Sequence, residues 1–505
     1  MAFPTHLSFL LLVCSFLLVG VSSCFHSGYR INKNASKFNQ LDKIAIRDHD
    51  FVDKQGRRRL FHGINSVLKY PPWYPEWLLN DTKLQYLNDW GFNVVRLGVM
   101  WSGVQPVCNF TNQTYLNKLQ EIVSKLQSHG IYVILDMHQD VISSYYGTYD
   151  GMPRWLVDKL PASPHAFPWP LPRLTQWAEG YLTQAAGRTF QQLYDNVNGA
   201  RRYFEEFWRT VANSFNSYDS VLGYEIINEP WCGDIYSNPE YLLPGIAGRT
   251  NLQPLYGAIN DVIREVDNVS IVFYEPVTWG VVFNGSVSGT GFTEVPGGSL
   301  YANRSALSFH YYCWLLAPQS KQPYPALTRA LCDSVLGPKV FKAISDDIRR
   351  TGGGSFLTEF GLCKPDGNEN STETIECEFV LQQADQHVHS WTYWDTAFFL
   401  GNGSIDTIAV RPFARPFARS VHGRVKKIKF DVQTSKFTFV YLPDNSDTIH
   451  TEIFVPRLHY PNGFTISKSP GLHTSFDKKT RILSVTYNGN SSVVWIILSP
   501  KSKLQ

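Results

Sequence analysis

"GYEIINEP", residues Gly223 to Pro230, runs as an apolar, strand-like segment directly into an Asn, a Glu and a Pro. A strand buried on both faces reads as a near-continuous apolar run, and it ends in a carboxylate only where that end opens onto something polar. The arrangement recurs along the chain. "LFHGIN" (60–65), "VVRLGV" (94–99), "YVILDMHQD" (132–140), "SIVFYEP" (270–276), "ALSFHYY" (306–312), "SFLTEFG" (355–361) and "SWTYWD" (390–395) have the same character. Helix-like segments lie between them, such as "TYLNKLQEIVSKLQSHG" (114–130), with Leu and Ile at helical spacing and a Gly stop. Eight strands alternating with helices predict an α/β fold, a (β/α)8 TIM barrel. Their ends carry Asn65, Arg96, His138 with Asp140, Asn228 with Glu229, Glu275, His310 with Tyr311, Glu359, and Trp394 with Asp395. In such a barrel these ends converge on one face, so Glu229 is expected at its mouth.

The chain has 505 residues, too many for one ordinary domain, and 43% of them are hydrophobic, enough for a large core. A formal net charge of +3 is close to balance and argues against a nucleic-acid partner, which demands concentrated positive charge. Between the third and fourth strands stands a long insertion, residues 153–194, rich in Pro, Trp and Phe; it is a candidate lid or wall for an apolar part of a substrate. After about residue 400 the character changes. "VKKIKFDVQTSKFTFVYL", "TEIFVPRL" and "RILSVTYNGNSSVVWIIL" alternate or carry β-branched runs without helical period, which predicts a C-terminal antiparallel β-sandwich over 421–505. It holds no evident catalytic cluster and is expected to pack on, or orient substrate for, a catalytic domain over 24–420.

The first residues read as an export signal. "HLSFLLLVCSFLLVGVSS" is an apolar run followed by small residues, suiting cleavage before Cys24, although His6 stands where Lys or Arg is usual. The alternative is an uncleaved anchor. Seven cysteines follow the signal, spaced too irregularly for zinc, so disulfides and one free thiol are expected; Cys363 with Cys377 and Cys313 with Cys332 close short loops and are the favoured pairs, although spacing does not fix connectivity. Glycosylation sequons at Asn34, Asn80, Asn109, Asn112, Asn268, Asn284, Asn303, Asn370, Asn402 and Asn490 fit a secreted or lumenal glycoprotein.

Glu229 and Glu359 end the fourth and seventh strands. Two carboxyls facing each other across one mouth are what retaining glycoside hydrolysis needs, one as nucleophile and one as acid/base. A lone strand-end Glu is more often a rim ion pair. His138, Asp140 and Glu229 lack the HxH or HExxH spacing of a metal site, so neither metal nor cofactor is expected.

"NEP" after the fourth strand, "LTEFG" on the seventh, Arg96 on the second and "HYY" on the sixth resemble the glycoside hydrolase family 5 pattern. The resemblance implies Glu229 as general acid/base, Glu359 as nucleophile and Asn228 as a hydrogen-bond donor to the sugar 2-hydroxyl. Arg96 and Tyr311 would hold Glu359 ionised, with His310 orienting it or filling the mouth. "HGINSVLKYPPWYP", "LDMHQD" and "WTYWD" are similar to the endoglycoceramidase branch, which cleaves between oligosaccharide and ceramide. That likeness spans nearly the whole chain after the signal and implies Lys69, Asp136, His138 and Asp140 at sugar hydroxyls and Trp394 under a sugar ring. Trp177 of the insertion is a candidate for stacking on sugar or touching lipid.

The implied partner is a glycosphingolipid, met at a membrane or micelle surface by a monomer, with the insertion and the β-domain bordering an apolar groove for its chains. Three rivals stand beside this reading: a glucosyl- or galactosylceramide-cleaving relative, an endo-β-glucanase, and a non-catalytic glycolipid-binding protein. The Glu pair speaks against the last.

Overall fold

The computed structural model describes residues 41–278, 289–313, 325–396 and 398–502. The expected signal (1–23), Cys14, Cys24 and the sequons at Asn34 and Asn284 lie outside them. Among the described residues no helix is long and apolar enough to cross a membrane.

Eight parallel strands close into a barrel: β1 (His62–Ser66), β2 (Val94–Gly98), β3 (Tyr132–Asp136), β4 (Val221–Glu225), β5 (Ile271–Tyr274), β6 (Ser305–Tyr311), β7 (Gly354–Phe360) and β8 (Ser390–Tyr393). Each pairs with its successor, and β8 returns to β1 through Trp391 to His62, Thr392 to Gly63 and Tyr393 to Ile64. Nearly every strand residue is buried, as their apolar runs demand. The segment expected to be helical forms Gln113–Ser128; Asn112 caps its first turn by accepting from Tyr115 N, and its Leu116, Leu119, Ile122, Val123 and Leu126 face the core. At Gly63 a side chain has no room, because a Cβ would fall 1.8 Å from the Val94 carbonyl oxygen.

The C-terminal region is antiparallel, in two sheets. Gly423–Asp431, Lys436–Pro443, Phe464–Lys468 and Val494–Pro500 form a four-stranded sheet, with Phe437, Phe439 and Tyr441 alternating inward along one strand. The other sheet has seven strands and is built from both ends of the chain: Ala45–Arg47, Asp50–Val52 and Arg58–Arg59 precede Phe417–Val421, Ser446–Phe454, Ile482–Tyr487 and Leu472–Asp477. That early segment was not legible as part of the β-module. Asp50–Val52 carries Phe51 into the floor of the barrel, against Phe61, Phe273 and Phe356 at centroid distances of 5.7, 6.3 and 5.8 Å.

The β-module meets the barrel at that same end. Leu60 and Val388, which stand just before β1 and β8, pack with the module's core, and Gly91, just before β2, lies against Phe454. The expectation that this module borders a substrate groove is therefore corrected: it covers the floor, opposite the mouth. Both favoured cysteine pairs are present, Cys313–Cys332 and Cys363–Cys377, while Cys108 and Cys232 are unpaired.

Phe51→Ala should leave a cavity under the barrel and lower stability by about 3–5 kcal/mol. The substitution is far from the mouth, so Michaelis constants should not move. Denaturant unfolding and steady-state kinetics on the same variant check both; a loss under about 1 kcal/mol would show that the floor is not packed as described.

Candidate active site

Arg96 of β2 is wholly buried at the centre of the mouth. Its guanidinium pairs with Asp136 at 3.1 Å, Glu359 at 3.0 Å, Glu275 at 3.4 Å and Glu225. It also donates to Asn65 Oδ1 at 3.0 Å and Asn228 Oδ1 at 2.8 Å. Buried carboxylates in such excess over positive charge cannot all ionise. Burial pushes Glu275 well above the ordinary carboxylate range, with Glu225 adding to it, and pushes Asp136 up to about 6 against the pull of Arg96.

Glu229 lies four residues beyond the end of β4 and has φ +40°, a conformation that a residue with a side chain adopts only when its surroundings impose it. Those surroundings are visible. Its N–H donates to Glu275 Oε2 at 3.1 Å, and its carbonyl, like that of Asn228, accepts from Gln139 Nε2, at 2.9 and 2.6 Å. His310 Nδ1 is hydrogen-bonded to Glu229 Oε1 at 2.9 Å. A carboxylate oxygen of Glu229, one of Glu359 and a ring nitrogen of His310 all lie within 4.8 Å of one another. Two carboxyls this close suit direct attack by one of them; inverting hydrolysis needs roughly 6.5–9.5 Å to seat a water between them.

Their environments separate their roles. Burial first, then the charge of Asp140, pushes Glu229 up to about 7, which favours a protonated acid. Glu359 is also raised by burial, but His310, Arg96 and the Tyr312 hydroxyl, which donates to Oε1 at 2.5 Å, favour its charged form. Arg96 and Tyr312 thus bind one oxygen each of the group expected to attack.

Lys69, in the loop after β1, ion-pairs with Asp140, and its ammonium lies 4.7 Å from the Trp394 ring and 5.8 Å from that of Trp177. His138 stacks on Trp394 at 5.4 Å. Its Nδ1 is held by Asp136 at 2.8 Å, while the buried Nε2 meets no hydrogen-bond partner. Trp177 is 53% exposed at the rim. A cavity of about 500 Å³ opens beside Trp394, between Tyr70, Tyr74 and Trp77 after β1 and Asp395 and Thr396 after β8. Asn228 Nδ2 donates to the Gln139 carbonyl at 3.0 Å, which uses one of its two hydrogens. Asp136 does not face the open mouth: it is fully buried, with one oxygen on Arg96 and one on His138, so it fixes that imidazole instead of meeting a sugar.

Tyr311 is a correction. Its hydroxyl donates to the Cys332 carbonyl at 3.2 Å, and its ring packs 5.9 Å from Phe341, on the helix side of β6. The alternation of a strand explains it. Phe309 and Tyr311 point outward to Phe341, whereas His310 and Tyr312 point to the mouth. Sequence reading placed Glu275 at a strand end without giving it a role, and missed Glu225, Gln139 and Asp150. Of these, "YEP" at 274–276 repeats the strand-then-Glu-Pro pattern of "NEP" and was readable, and Glu225 stands inside the opening stretch itself. Tyr312→Phe removes a hydrogen bond to a charged group and should lower kcat/KM about 10- to 100-fold. Tyr311→Phe should cost only about 1 kcal/mol of stability. Equal kinetic losses in the two variants would contradict the assignment.

The family model for cellulase (glycosyl hydrolase family 5) matches residues 52–399, and that for the glycoside hydrolase family 5 C-terminal domain matches 415–497. An endoglycoceramidase of Cyanea nozakii is 34% identical over 90% of this chain and 92% of its own. One of Hydra vulgaris is 35% identical over 83% of this chain and 81% of its own. The fold is that of endo-glycoceramidase II from Rhodococcus sp., solved as a ganglioside GM3 complex and as a lactosyl-enzyme intermediate, each with TM-score 0.72 and 24% identity over 89% of this chain and 99% of that one. From the barrel, its paired glutamates and these matches together, the chain belongs to glycoside hydrolase family 5, among the endoglycoceramidases.

Proposed function

We propose that this protein is a retaining endoglycosidase that hydrolyses the β-linkage between oligosaccharide and ceramide in glycosphingolipids, releasing both intact. The carrying observation is the Glu229 and Glu359 pair, with carboxylate oxygens within 4.8 Å at one barrel mouth. Glu359, held by Arg96 and Tyr312, attacks the anomeric carbon while Glu229 gives its proton to the departing ceramide oxygen. Glu229 then takes a proton from the water that frees the sugar from Glu359, and two inversions at the anomeric carbon leave its configuration retained. His310 keeps Glu229 directed at the bond in both steps.

The sugar side of the site is polar and aromatic. Lys69, Asp140 and His138 offer donors and acceptors beside the Trp394 ring, and Asn228 has a second amide hydrogen for a 2-hydroxyl. The aglycone side follows from the acid: the ceramide oxygen is the one Glu229 protonates, so its chains leave past the residues that follow Glu229 and Glu275. There Trp231, Cys232, Leu242, Pro276 and Val277 line a narrow apolar crevice of about 20 Å³, smaller than an acyl chain, so the chains would lie over it and not within it. The exposed Trp169, Trp177 and Leu243 on loops of the same face suit contact with a micelle or membrane surface, where such a substrate resides. A secreted or lumenal compartment fits the export signal, and the sequons among the described residues, Asn80, Asn109, Asn112, Asn268, Asn303, Asn370, Asn402 and Asn490, stand exposed or half-exposed.

Incubation of wild type, Glu359→Gln and Glu229→Gln with a ganglioside, lactosylceramide, glucosylceramide and a soluble β-glucan, with products read by mass, tests the reading. Intact oligosaccharide plus ceramide from wild type alone is expected. Cleavage confined to glucosylceramide or to the glucan would move the substrate, and retention of glycolipid without cleavage would leave a binding protein.

The pH profile gives a second test. Catalysis needs Glu229 protonated and Glu359 ionised, so kcat/KM should fall as pH rises through about 7 and fall again in acid as Glu359 gains its proton. A bell centred above neutral pH would contradict this assignment.

A further inference from the structure

Asp150 stands between β3 and the insertion's first helical turn, Arg154–Val157, and is fully buried. Its carboxyl group, that of Asp140 and a ring nitrogen of His138 present atoms all within 4.8 Å of one another. Lys69 reaches this cluster from the loop after β1 and places its ammonium on Asp140 Oδ2. Neither oxygen of Asp150 makes a well-formed hydrogen bond to a side-chain donor; its neighbours there are the carboxyl group and the backbone N–H of Asp140.

Two buried carboxylates that share one ammonium do not both ionise at this range; one keeps its proton. Lys69 sits on Asp140, so the proton belongs on Asp150. A protonated Asp150 gains an O–H to donate to Asp140, and that single proton removes the like-charge clash and supplies the missing partner.

We infer that Asp150 is a positioning residue: its neutral carboxyl group donates a hydrogen bond to Asp140 and so fixes the Lys69–Asp140 ion pair beside Trp394 in the geometry that receives a sugar. Burial and the neighbouring Asp140 charge push Asp150 well above the ordinary carboxylate range, whereas Lys69 and His138 hold Asp140 below it in spite of burial. The titratable and charged groups around the pair are Lys69 after β1, Arg96 on β2, Asp136 and His138 at the end of β3, Tyr149 from the same loop, Tyr181 from the insertion, and Glu229 and Glu359 across the mouth. Removing the proton at high pH adds a second negative charge beside the ion pair, and sugar binding should then weaken without a change in the chemical step.

The positioning role rests on Lys69 and Asp140 being sugar-binding groups; the proton does not. Carbon-13 titration of aspartate-labelled full-length protein, without substrate, should show one carboxyl group that stays protonated at neutral pH and is missing from D150N. Its absence from wild type would overturn the inference whatever the enzyme cleaves. In kinetics with a ganglioside, D150A should raise KM about tenfold with kcat changed far less, and D150N, a neutral donor that cannot ionise, should rescue most of that loss. D150N should also abolish the rise of KM at alkaline pH. A D150N variant as impaired as D150A, with wild type retaining the protonated carboxyl, would overturn the positioning role alone. Should D150A fail to fold, the D150N alkaline profile decides in its place.

Discussion

One buried guanidinium organises the mouth of this barrel. Arg96 touches carboxylates at β3, β4, β5 and β7, so a single positive charge joins four strands. Breaking a buried charge pair by removing one partner typically costs about 3–5 kcal/mol, because the remaining charges are left uncompensated. Here the loss would fall on several groups together. Glu359 would lose what holds it ionised, Asn228 would lose its anchor, and Glu275, which fixes the Glu229 backbone, would face Glu225 unshielded.

The same shortage of positive charge sorts the acids into roles. Burial pushes all of these acids up, and contact with Arg96 alone does not undo it for Asp136 or Glu275. Glu359 has Arg96 on one oxygen and the Tyr312 hydroxyl on the other, which favours its charged form, whereas Glu229, pushed up by burial and then Asp140, keeps a proton. The fold supplies this asymmetry by placing each carboxylate at the end of a different strand. Aromatic packing from the N-terminal segment and the β-module seals the opposite end of the barrel and leaves the mouth to chemistry.

Much of this was legible in the sequence. Eight doubly buried strands with polar ends announce the barrel, and Glu229, Glu359, Arg96, Lys69, Asp140, His138 and Trp394 all stand together at its mouth. What escaped depended on distance across the chain or on strand phase. The pairing of Arg58–Arg59 with Phe417–Val421 joins segments more than three hundred residues apart, and two-residue or three-residue strands leave no alternation to read. "HYY" offered two tyrosines, and only the phase of β6 tells that Tyr312 shares the side of His310. Asp150 sits in a polar loop, where burial is not a sequence property.

Glu359 as nucleophile implies a covalent glycosyl-enzyme, and trapping it is the most direct measurement. An activated 2-deoxy-2-fluoro-lactoside, which slows the second step more than the first, should label the protein once, and peptide mass analysis should find the sugar on Glu359. A label on another residue, or turnover without any covalent adduct and with inverted anomeric product, would contradict the assignment of the two glutamates.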